Sequence, residues 1–468
     1  MPIFAKTISH IAGLSTVLCL SSAPMAFAGE LSVTIYGNGR ALVDDTRNIR
    51  FSKGEQSIEL PGVSSQIQAE TATFVADGIS ILEQNFDFDL LTPTKLMEKA
   101  VGSYVELVRT NPGTGMEKRE RAKVLSVNNG VVVQIGRKIE VLRDDNIPTR
   151  VVFDSLPENL RANPTLSVEV DSEKAGLREA NLTYLTSGLN WRADYVAVFN
   201  EETETMDLQG WATLTNNTKT TFEEANVAVI AGSVNSANGR GGYNNQYNQR
   251  QNNFRGAGTE QSPQERVGDN YLYPLPGKIT VKSSQTKQVG ILDAQSVPAS
   301  KVYEYHASGF NSINQPQSAD VRIAFSNSRD KGLGTALPQG VFRVYTKDAS
   351  ENSQFIGEDR IGHIPGGSNM SLKIGDAFDV KVKSKVVSNR EISRRVREME
   401  MSYEITNATA KATTVYLRQN MSSYGSYKIL SESSPSEKTS AYGYVWPVKV
   451  AAEGKATLTF KVQHKTRW

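Results

Sequence analysis

The sequence predicts an all-β protein, because its apolar residues alternate along short segments and no long segment shows helical periodicity. In the segment 189–200, apolar side chains occupy every second position: Trp191, Ala193, Tyr195, Ala197 and Phe199. The segment 206–214 repeats this alternation after an acidic connector. Period two with aromatic content is typical of strands that pack one face into a core. We therefore predict antiparallel immunoglobulin-like β-sandwich domains, together with a small SH3-like barrel segment.

Residues 1–28 have the features of a secretory signal peptide. Lys6 precedes an uncharged, mostly apolar run, 11–20, which is too short to span a bilayer. Ala26 and Ala28 then supply the small residues that a signal peptidase recognises, so cleavage is expected after Ala28. A retained membrane anchor and a lipoprotein modified at Cys19 are the alternatives. The signal peptide predicts a mature protein in the periplasm or outside the cell.

Composition excludes several classes of protein. Cys19, the only cysteine, lies in the signal peptide, so a mature chain has neither a disulfide nor a thiolate metal site. The 52 Lys and Arg nearly balance the 50 Asp and Glu, whereas a nucleic-acid-binding protein normally has a marked basic excess. No second apolar run approaches the length of a membrane span, so we expect no transmembrane segment in the mature chain.

The N-terminal third of the mature chain divides into three predicted parts. Residues 29–95 alternate in short segments separated by turns such as Gly37-Asn38-Gly39, which predicts a small β domain. Residues 96–150 begin with one helical turn, LMEKAVG, with Pro93 near its start. They continue as four or five closely spaced strands, which favour a small SH3-like barrel acting as a scaffold or docking module. Residues 151–165 form a bridge.

Residues 166–468 are predicted to form a C-terminal β-sandwich domain interrupted by an insert. The insert, 235–266, consists almost entirely of Asn, Gln, Gly and Arg with a few Tyr and Phe. Such a segment buries too little apolar area to offset the entropy of ordering it, so we predict disorder. It is either a tolerated surface loop or an adhesive Arg/Tyr segment that contacts peptidoglycan, RNA or itself.

The densest polar cluster supplies the candidate site. The segment GEDRIGHIPGG and the residues after it contain Glu358, Asp359, His363, Asp376 and Asp379. Carboxylates with an imidazole are suited to binding a divalent metal ion or to general acid–base chemistry. The competing interpretation is a turn between edge strands, in which the two carboxylates pair with Arg343 or Arg360 and the imidazole binds a loop. We treat the five residues as a candidate binding cluster, with no catalytic assignment and no cofactor.

Other functional motifs are weak. The sequence has no Gly-x-Ser-x-Gly elbow for a nucleophilic serine. The Gly-rich loop 332–340 precedes a predicted strand rather than the helix that a phosphate-binding loop needs. Trp191, Trp211 and Trp446 could stack on sugar rings, but their positions within strands favour the core.

Several motifs in order resemble a known family. They are TYLTSGLNWRADYVAVFN, LQGWATLTNNT, NSRDKGLGTALPQGVFRVY, FIGEDRIGHIPGG and LKIGDAFDVKV. Together they resemble the bacterial domain of unknown function numbered 4139, roughly from Leu166 to the C terminus. Members often resemble mucoidy-inhibitor-like proteins, in which a coiled coil precedes this domain. Here a barrel-like segment takes the place of the coiled coil. The resemblance implies an exported or envelope β-sandwich protein and no known reaction.

The sequence therefore favours an exported, non-enzymatic protein in cell-envelope binding or assembly, whose partner is an envelope protein or glycan rather than a nucleic acid. The alternative is a metal-assisted hydrolase acting on envelope glycan or peptide through Glu358, Asp359 and His363. A third hypothesis is an adhesion or filament component that adds strands at exposed sheet edges.

Overall fold

The computed structural model describes most of the chain. The residues described are 29–87, 91–128, 130–142, 149–155, 157, 160–232, 234, 254–256, 258–261, 263–421 and 425–466. The predicted signal peptide, 1–28, lies outside this part of the chain, as does most of the predicted insert. No described helix is long and apolar enough to cross a membrane.

Among the described residues the fold is mostly β, with 70% of them in strands, one α-helix and several antiparallel or mixed sheets, one of them curled into a half-barrel. This confirms the prediction of a β-dominated protein. In the first half of the chain the strands are β1 Leu31–Tyr36, β2 Arg40–Phe51, β3 Gly54–Pro61, β4 Thr73–Ala76, β5 Ile79–Asp87, β6 Tyr104–Thr110, β7 Glu117–Ser126, β8 Val131–Ile135, β9 Lys138–Leu142, β10 Thr149–Val152, β11 Thr165–Ser172, β12 Gly176–Ser187, β13 Leu189–Asn200, β14 Thr205–Asn216 and β15 Phe222–Ala231.

The second half contains shorter strands and three long ones. They are β16 Phe254–Gly256, β17 Glu265–Val267, β18 Asn270–Val281, β19 Gln285–Ser308, β20 Ile313–Asn327, β21 Gly340–Lys347, β22 Ser353–Ile361, β23 Ser368–Ser393, β24 Val396–Asn407, β25 Thr413–Asn420, β26 Gly425–Glu432, β27 Glu437–Lys438, β28 Gly443–Val450 and β29 Gly454–Thr466. Short 3-10 turns lie at Ala69–Thr71 and Arg329–Lys331.

The single α-helix among the described residues, α1, spans Pro93–Lys99. The Thr92 side chain accepts a hydrogen bond from the Lys95 N–H, and Pro93 occupies the first turn, where its missing N–H costs nothing. The helical turn predicted at this position is confirmed, although it begins at Pro93 and ends before the predicted LMEKAVG segment does.

The predicted N-terminal domain and the beginning of the predicted C-terminal domain share two sheets. One sheet has the order β17-β18-β15-β1-β2-β12-β4, and β1 pairs in parallel with β15. The other has the order β3-β11-β5. Both sheets bury apolar residues in one hydrophobic cluster, here called the large cluster, which includes Val33, Phe51, Val168 and Tyr195. The segments 29–87 and 165–231 therefore pack as one unit.

The strands β6 to β10 form the sheet β10-β6-β7-β8-β9, an antiparallel meander around its own small cluster, which includes Leu107 and Val133. Among the described residues no hydrogen-bonded pairing joins the edge strands β9 and β10. The meander therefore has the closely spaced strands that were predicted but is open between those two edges.

The largest sheet has the order β22-β21-β13-β14-β19-β20-β23-β24-β29-β26. Its first strands bury Trp191, Tyr195 and Phe342 in the large cluster. Its last strands, together with β25 and β28, enclose a second core, the C-terminal cluster, which includes Tyr403 and Trp446. The strands β19, β20 and β23 contribute residues to both clusters.

The prediction of disorder across 235–266 is wrong at the end of the insert. The strand β16 pairs with β23, Glu260 bridges to Gly366, and Glu265–Val267 forms β17. The Glu260 carboxylate also accepts a hydrogen bond from the Arg329 N–H at 3.0 Å. These attachments use mainly backbone groups, so a polar sequence with little apolar area can still form them. Residues 235–253 lie outside the described part.

Candidate functional site

The five predicted site residues lie in three places. Glu358 and Asp359 are on the edge strand β22, His363 follows that strand in a loop, and Asp376 and Asp379 are on β23. Because neighbouring residues of a strand point to opposite faces, Glu358 and Asp359 diverge from each other.

Glu358 belongs to an ion-paired row that crosses three strands. Its carboxylate lies 3.4 Å from the Arg343 guanidinium on β21. Arg343 in turn lies 3.0 Å from the buried Asp194 on β13. Burial alone would raise the pKa of Asp194, but hydrogen bonds from Thr213, Arg343 and Arg192 outweigh it and lower the pKa. Glu358 is therefore the exposed end of a structural ion-pair row.

Asp359 and His363 bind backbone groups. The Asp359 carboxylate accepts hydrogen bonds from the N–H groups of Lys373 and Arg360, both at 2.8 Å. The His363 Nδ1 accepts a hydrogen bond from the Gln339 N–H at 3.3 Å. Partial burial lowers the pKa of His363 below its ordinary value, which favours the neutral imidazole that this hydrogen bond requires. These contacts join β22 and its loop to the neighbouring segments.

The cluster does not assemble into a metal site. Across the described ranges, no group of three or more His, Cys, Asp or Glu side chains is placed to hold a metal ion. The hydrolase hypothesis requires His363 to lie beside two carboxylates. Glu358 and Asp359 do not provide them, since each has the separate contacts given above.

Asp376 and Asp379 instead line a pocket, here called the junction pocket, of about 310 Å³. The pocket lies where the large cluster meets the C-terminal cluster, and residues of both contribute its walls. Its apolar lining includes Phe199, Tyr303, Val321, Ile323, Ile356, Ile374 and Ala377. Phe378, also in the lining, is 87% exposed.

Charged residues around the junction pocket are mostly paired. The Lys301 ammonium lies 3.1 Å from the Glu201 carboxylate. Burial acts to lower the pKa of Lys301, but Tyr303 and Glu201 outweigh it and raise the pKa. Lys373 lies 3.0 Å from Asp376. Asp379 is exposed and forms no ion pair within the described residues, so it is the uncompensated negative charge of this pocket.

A buried ion network beside this region was not predicted. Glu304 on β19 contacts Arg322 on β20 at 3.2 Å and also contacts Arg418 on β25. Arg322 additionally donates to the Ser371 hydroxyl and carbonyl on β23, at 2.9 and 2.6 Å. In the sequence, Glu304 and Arg322 each lie within a segment of alternating apolar and polar residues. Such alternation normally places the charged residues on the solvent-facing side of a strand, so their burial was not expected.

The tryptophans bear out core packing in two of three cases. Trp446 is fully buried and stacks on Phe460 with 4.5 Å between ring centroids. Trp191 is buried, and its indole N–H donates to the Ile230 carbonyl at 3.1 Å. Trp211 is half-buried and lies on the face of β14 opposite to the buried Leu208 and Ala212.

Comparison with known proteins identifies the family of this fold. No curated protein matches the chain. A family model described as Domain of unknown function (DUF4139) matches residues 180–466, which is more than half of the chain and includes the junction pocket and the ion network. The resemblance noted from the sequence motifs is thereby confirmed, and the chain belongs to the DUF4139 family.

Proposed function

We propose that this DUF4139 protein is a non-enzymatic binding protein of the cell envelope, and that the junction pocket receives part of its partner. The observation that carries the proposal is the pocket itself, a recess of about 310 Å³ between two hydrophobic clusters, lined by apolar residues and by a few charged and hydroxyl-bearing ones. Small-ligand sites are typically about 300–1,000 Å³, mainly apolar, with a few placed polar groups, and they favour junctions between packed units.

The charges around the pocket indicate the chemistry of the partner. Glu201 and Asp376 are neutralised by lysines, whereas Asp379 is not. An apolar group of the partner contacts the apolar part of the pocket lining. A neighbouring ammonium or guanidinium group of the partner pairs with Asp379. A protein segment with an apolar side chain next to Lys or Arg meets both requirements, so we favour an envelope protein over a glycan as the partner.

A fluorescent amine tests this pocket. Dansylcadaverine carries an apolar ring system and a primary ammonium, and its N-acetyl derivative lacks the charge. We expect saturable binding of dansylcadaverine to the mature protein. Thr346→Trp, which places an indole at the half-buried wall, should abolish it. Asp379→Asn should weaken binding of the amine about two- to fivefold and leave the acetylated probe unaffected.

The matched control is Thr413→Trp, at a half-buried strand threonine outside the pocket lining. It should bind the probe like the wild type. Unchanged binding to Thr346→Trp would refute the pocket as the site.

The envelope location rests on residues 1–28, whose sequence has the features of a cleaved signal. N-terminal sequencing of protein recovered from the periplasm or the medium should begin at Gly29. A cytoplasmic protein that retains Met1 would contradict this part of the proposal.

We also propose the finer fold assignments. An immunoglobulin-like sandwich around the C-terminal cluster is supported by the stacking of Trp446 on β28 against Phe460 on β29, because these two strands pack without pairing. The SH3-like assignment of the meander β6–β10 is supported by its five short antiparallel strands around a separate core. A crystal structure with two facing sheets and a closed meander would establish both.

A further inference from the structure

The turn between β23 and β24 concentrates positive charge at one end of the largest sheet. Residues 385–398 include five Lys or Arg and two Glu, a net charge of +3, whereas the whole chain carries +2. We call this stretch the basic tip. Lys465, which is exposed and lies opposite Val396 in the pairing of β24 with β29, adds a cation at the same end of the sheet.

Of the cations in the basic tip, Arg394 and Arg395 at the turn have no carboxylate partner among the described residues, whereas Arg390 and Arg397 on the strands do. Arg390 lies 3.6 Å from Glu398, and Arg397 lies 3.5 Å from Glu391. Arg394 and Arg395 are exposed, and no carboxylate of the described residues lies within ion-pairing distance of either. Their charge is therefore available to an external partner.

The turn between β23 and β24 lacks the residue types that favour a two-residue hairpin loop. Ser393 pairs with Val396, so Arg394 and Arg395 form a two-residue hairpin loop. Such loops favour Asn-Gly or Gly-containing pairs, whose positive φ angles match the strand twist. Neither arginine has a positive φ. Turn preference therefore does not account for the two arginines at this loop. A role for two exposed cations at the end of the sheet accounts for them.

Apolar side chains accompany the arginines. Val387 and Ile392 are 50% and 45% exposed. Each is the extra residue of a β-bulge, because the register of β23 against β24 shifts at 386/388 and at 391/393. Bulges re-aim side chains and interrupt the alternation of a strand. Two bulges in eight residues thus place two apolar side chains at the surface beside the arginines.

We propose that the basic tip docks onto an anionic phospholipid surface. Lipid phosphates attract unpaired cations within a Debye length of the bilayer. The exposed Val387 and Ile392 side chains enter the boundary between headgroups and acyl chains, as apolar groups of interfacial segments do. A soluble polyanion would engage the arginines alone, so the apolar pair favours a membrane.

Vesicle cosedimentation tests this surface with the mature protein. We expect binding to vesicles containing phosphatidylglycerol, weak binding to pure phosphatidylcholine and loss of binding as salt increases. The double variant Arg394→Ala/Arg395→Ala should bind the anionic vesicles about thirtyfold more weakly. Ile392→Asn should weaken binding to the anionic vesicles at low salt, where the wild type binds, because it removes one of the two apolar side chains that enter the headgroup boundary.

The matched control removes two other exposed cations, Arg50 at the end of β2 and Lys53 after it, by Arg50→Ala/Lys53→Ala. It should bind within about twofold of the wild type, since nonspecific charge is equally reduced. Thermal unfolding of all variants verifies folding, and Thr346→Trp should leave vesicle binding intact, so this surface stands or fails independently of the junction pocket.

Two results would overturn the proposal. One is equal vesicle binding by the tip variant and the wild type. The other is no vesicle binding but arginine-dependent retention on immobilised polyphosphate, which would assign the tip to a soluble phosphate polymer.

Discussion

Glu304 and Arg322, on adjacent strands, form an ion pair with 3.2 Å between the carboxylate and the guanidinium, and their side chains are only 4% and 3% exposed. Arg418 contacts the same carboxylate from the other side, and Asp320 lies 3.9 Å from Arg322. Charges removed from water in this way are tolerated only when each has its partners. Glu304 is therefore the group that compensates two arginines at the edge of the C-terminal cluster.

Glu304→Leu should lower the free energy of unfolding by about 3–5 kcal/mol, because it leaves the buried Arg322 with only the more distant Asp320 carboxylate and removes the carboxylate that Arg418 contacts. Urea denaturation measures this loss. The control is Glu117→Leu, which removes exposed pairs with Arg119 and Arg150 and should cost no more than about 1 kcal/mol. Equal losses in the two variants would contradict the argument.

Alkaline pH should destabilise the protein through its buried tyrosines. Burial raises the pKa of Tyr184, Tyr195, Tyr273 and Tyr403 above the ordinary value of 10.0. The unfolded chain therefore loses phenolic protons at a pH where the folded chain keeps them. Their stabilising contribution is complete below about pH 10 and decreases as the pH rises above it.

Urea midpoints between about pH 8 and pH 11 test this dependence. Tyr273→Phe removes one raised group, whose hydroxyl donates to the Ala336 carbonyl at 2.7 Å, and should flatten the alkaline decrease. Tyr104→Phe, at an exposed tyrosine, should leave the decrease unchanged.

Gly357→Ala should destabilise β22 and the pocket wall. At Gly357 φ is +152°, and an added Cβ would overlap the Ile374 carbonyl oxygen of β23. We expect a loss of about 1–3 kcal/mol and weaker binding of dansylcadaverine. The control is Gly375→Ala on β23, where an added Cβ meets nothing within 4 Å. Thermal unfolding and probe titration of both variants would decide, and similar behaviour would contradict this steric argument.

Mild acid should destabilise the loop at His363. Because partial burial lowers the pKa of His363, the unfolded chain binds a proton more readily than the folded chain. The stabilising contribution is therefore present above the ordinary value of 6.5 and decreases as the pH falls below it. His363→Gln should reduce the loss of stability between about pH 7.5 and pH 5, measured by urea midpoints. A larger loss in the variant would contradict this prediction.

Local features were predictable from the sequence because their signals are local. Alternation located β13, β14 and β24, and Thr92 with Pro93 marked the start of the only described α-helix. The charged-turn interpretation anticipated the Glu358–Arg343 pair and a loop hydrogen bond for His363. Each of these depends on residue order along a few positions.

Long-range pairing was not predictable in the same way. The parallel pairing of β1 with β15 joins segments about two hundred residues apart, and nothing in either segment specifies the other. The ion network escaped notice for the same reason. Glu304 and Arg322 each sit within an alternating strand, and only the layer that covers both makes them buried.

The three long strands that cross from one hydrophobic cluster to the other have a mechanical consequence. β19, β20 and β23 run without a linker through the point where Tyr303, Val321 and Ile374 line the junction pocket. A hinge needs a few residues that change their backbone angles freely, and the pairing of β19 with β20 over 299–304 restricts such changes, although the register of β20 against β23 shifts at 318/320 and 321/322. We expect the part around the large cluster and the part around the C-terminal cluster to move together as one rigid unit. Under the proposed function, a partner would then enter the pocket through side-chain rotation rather than through a hinge motion.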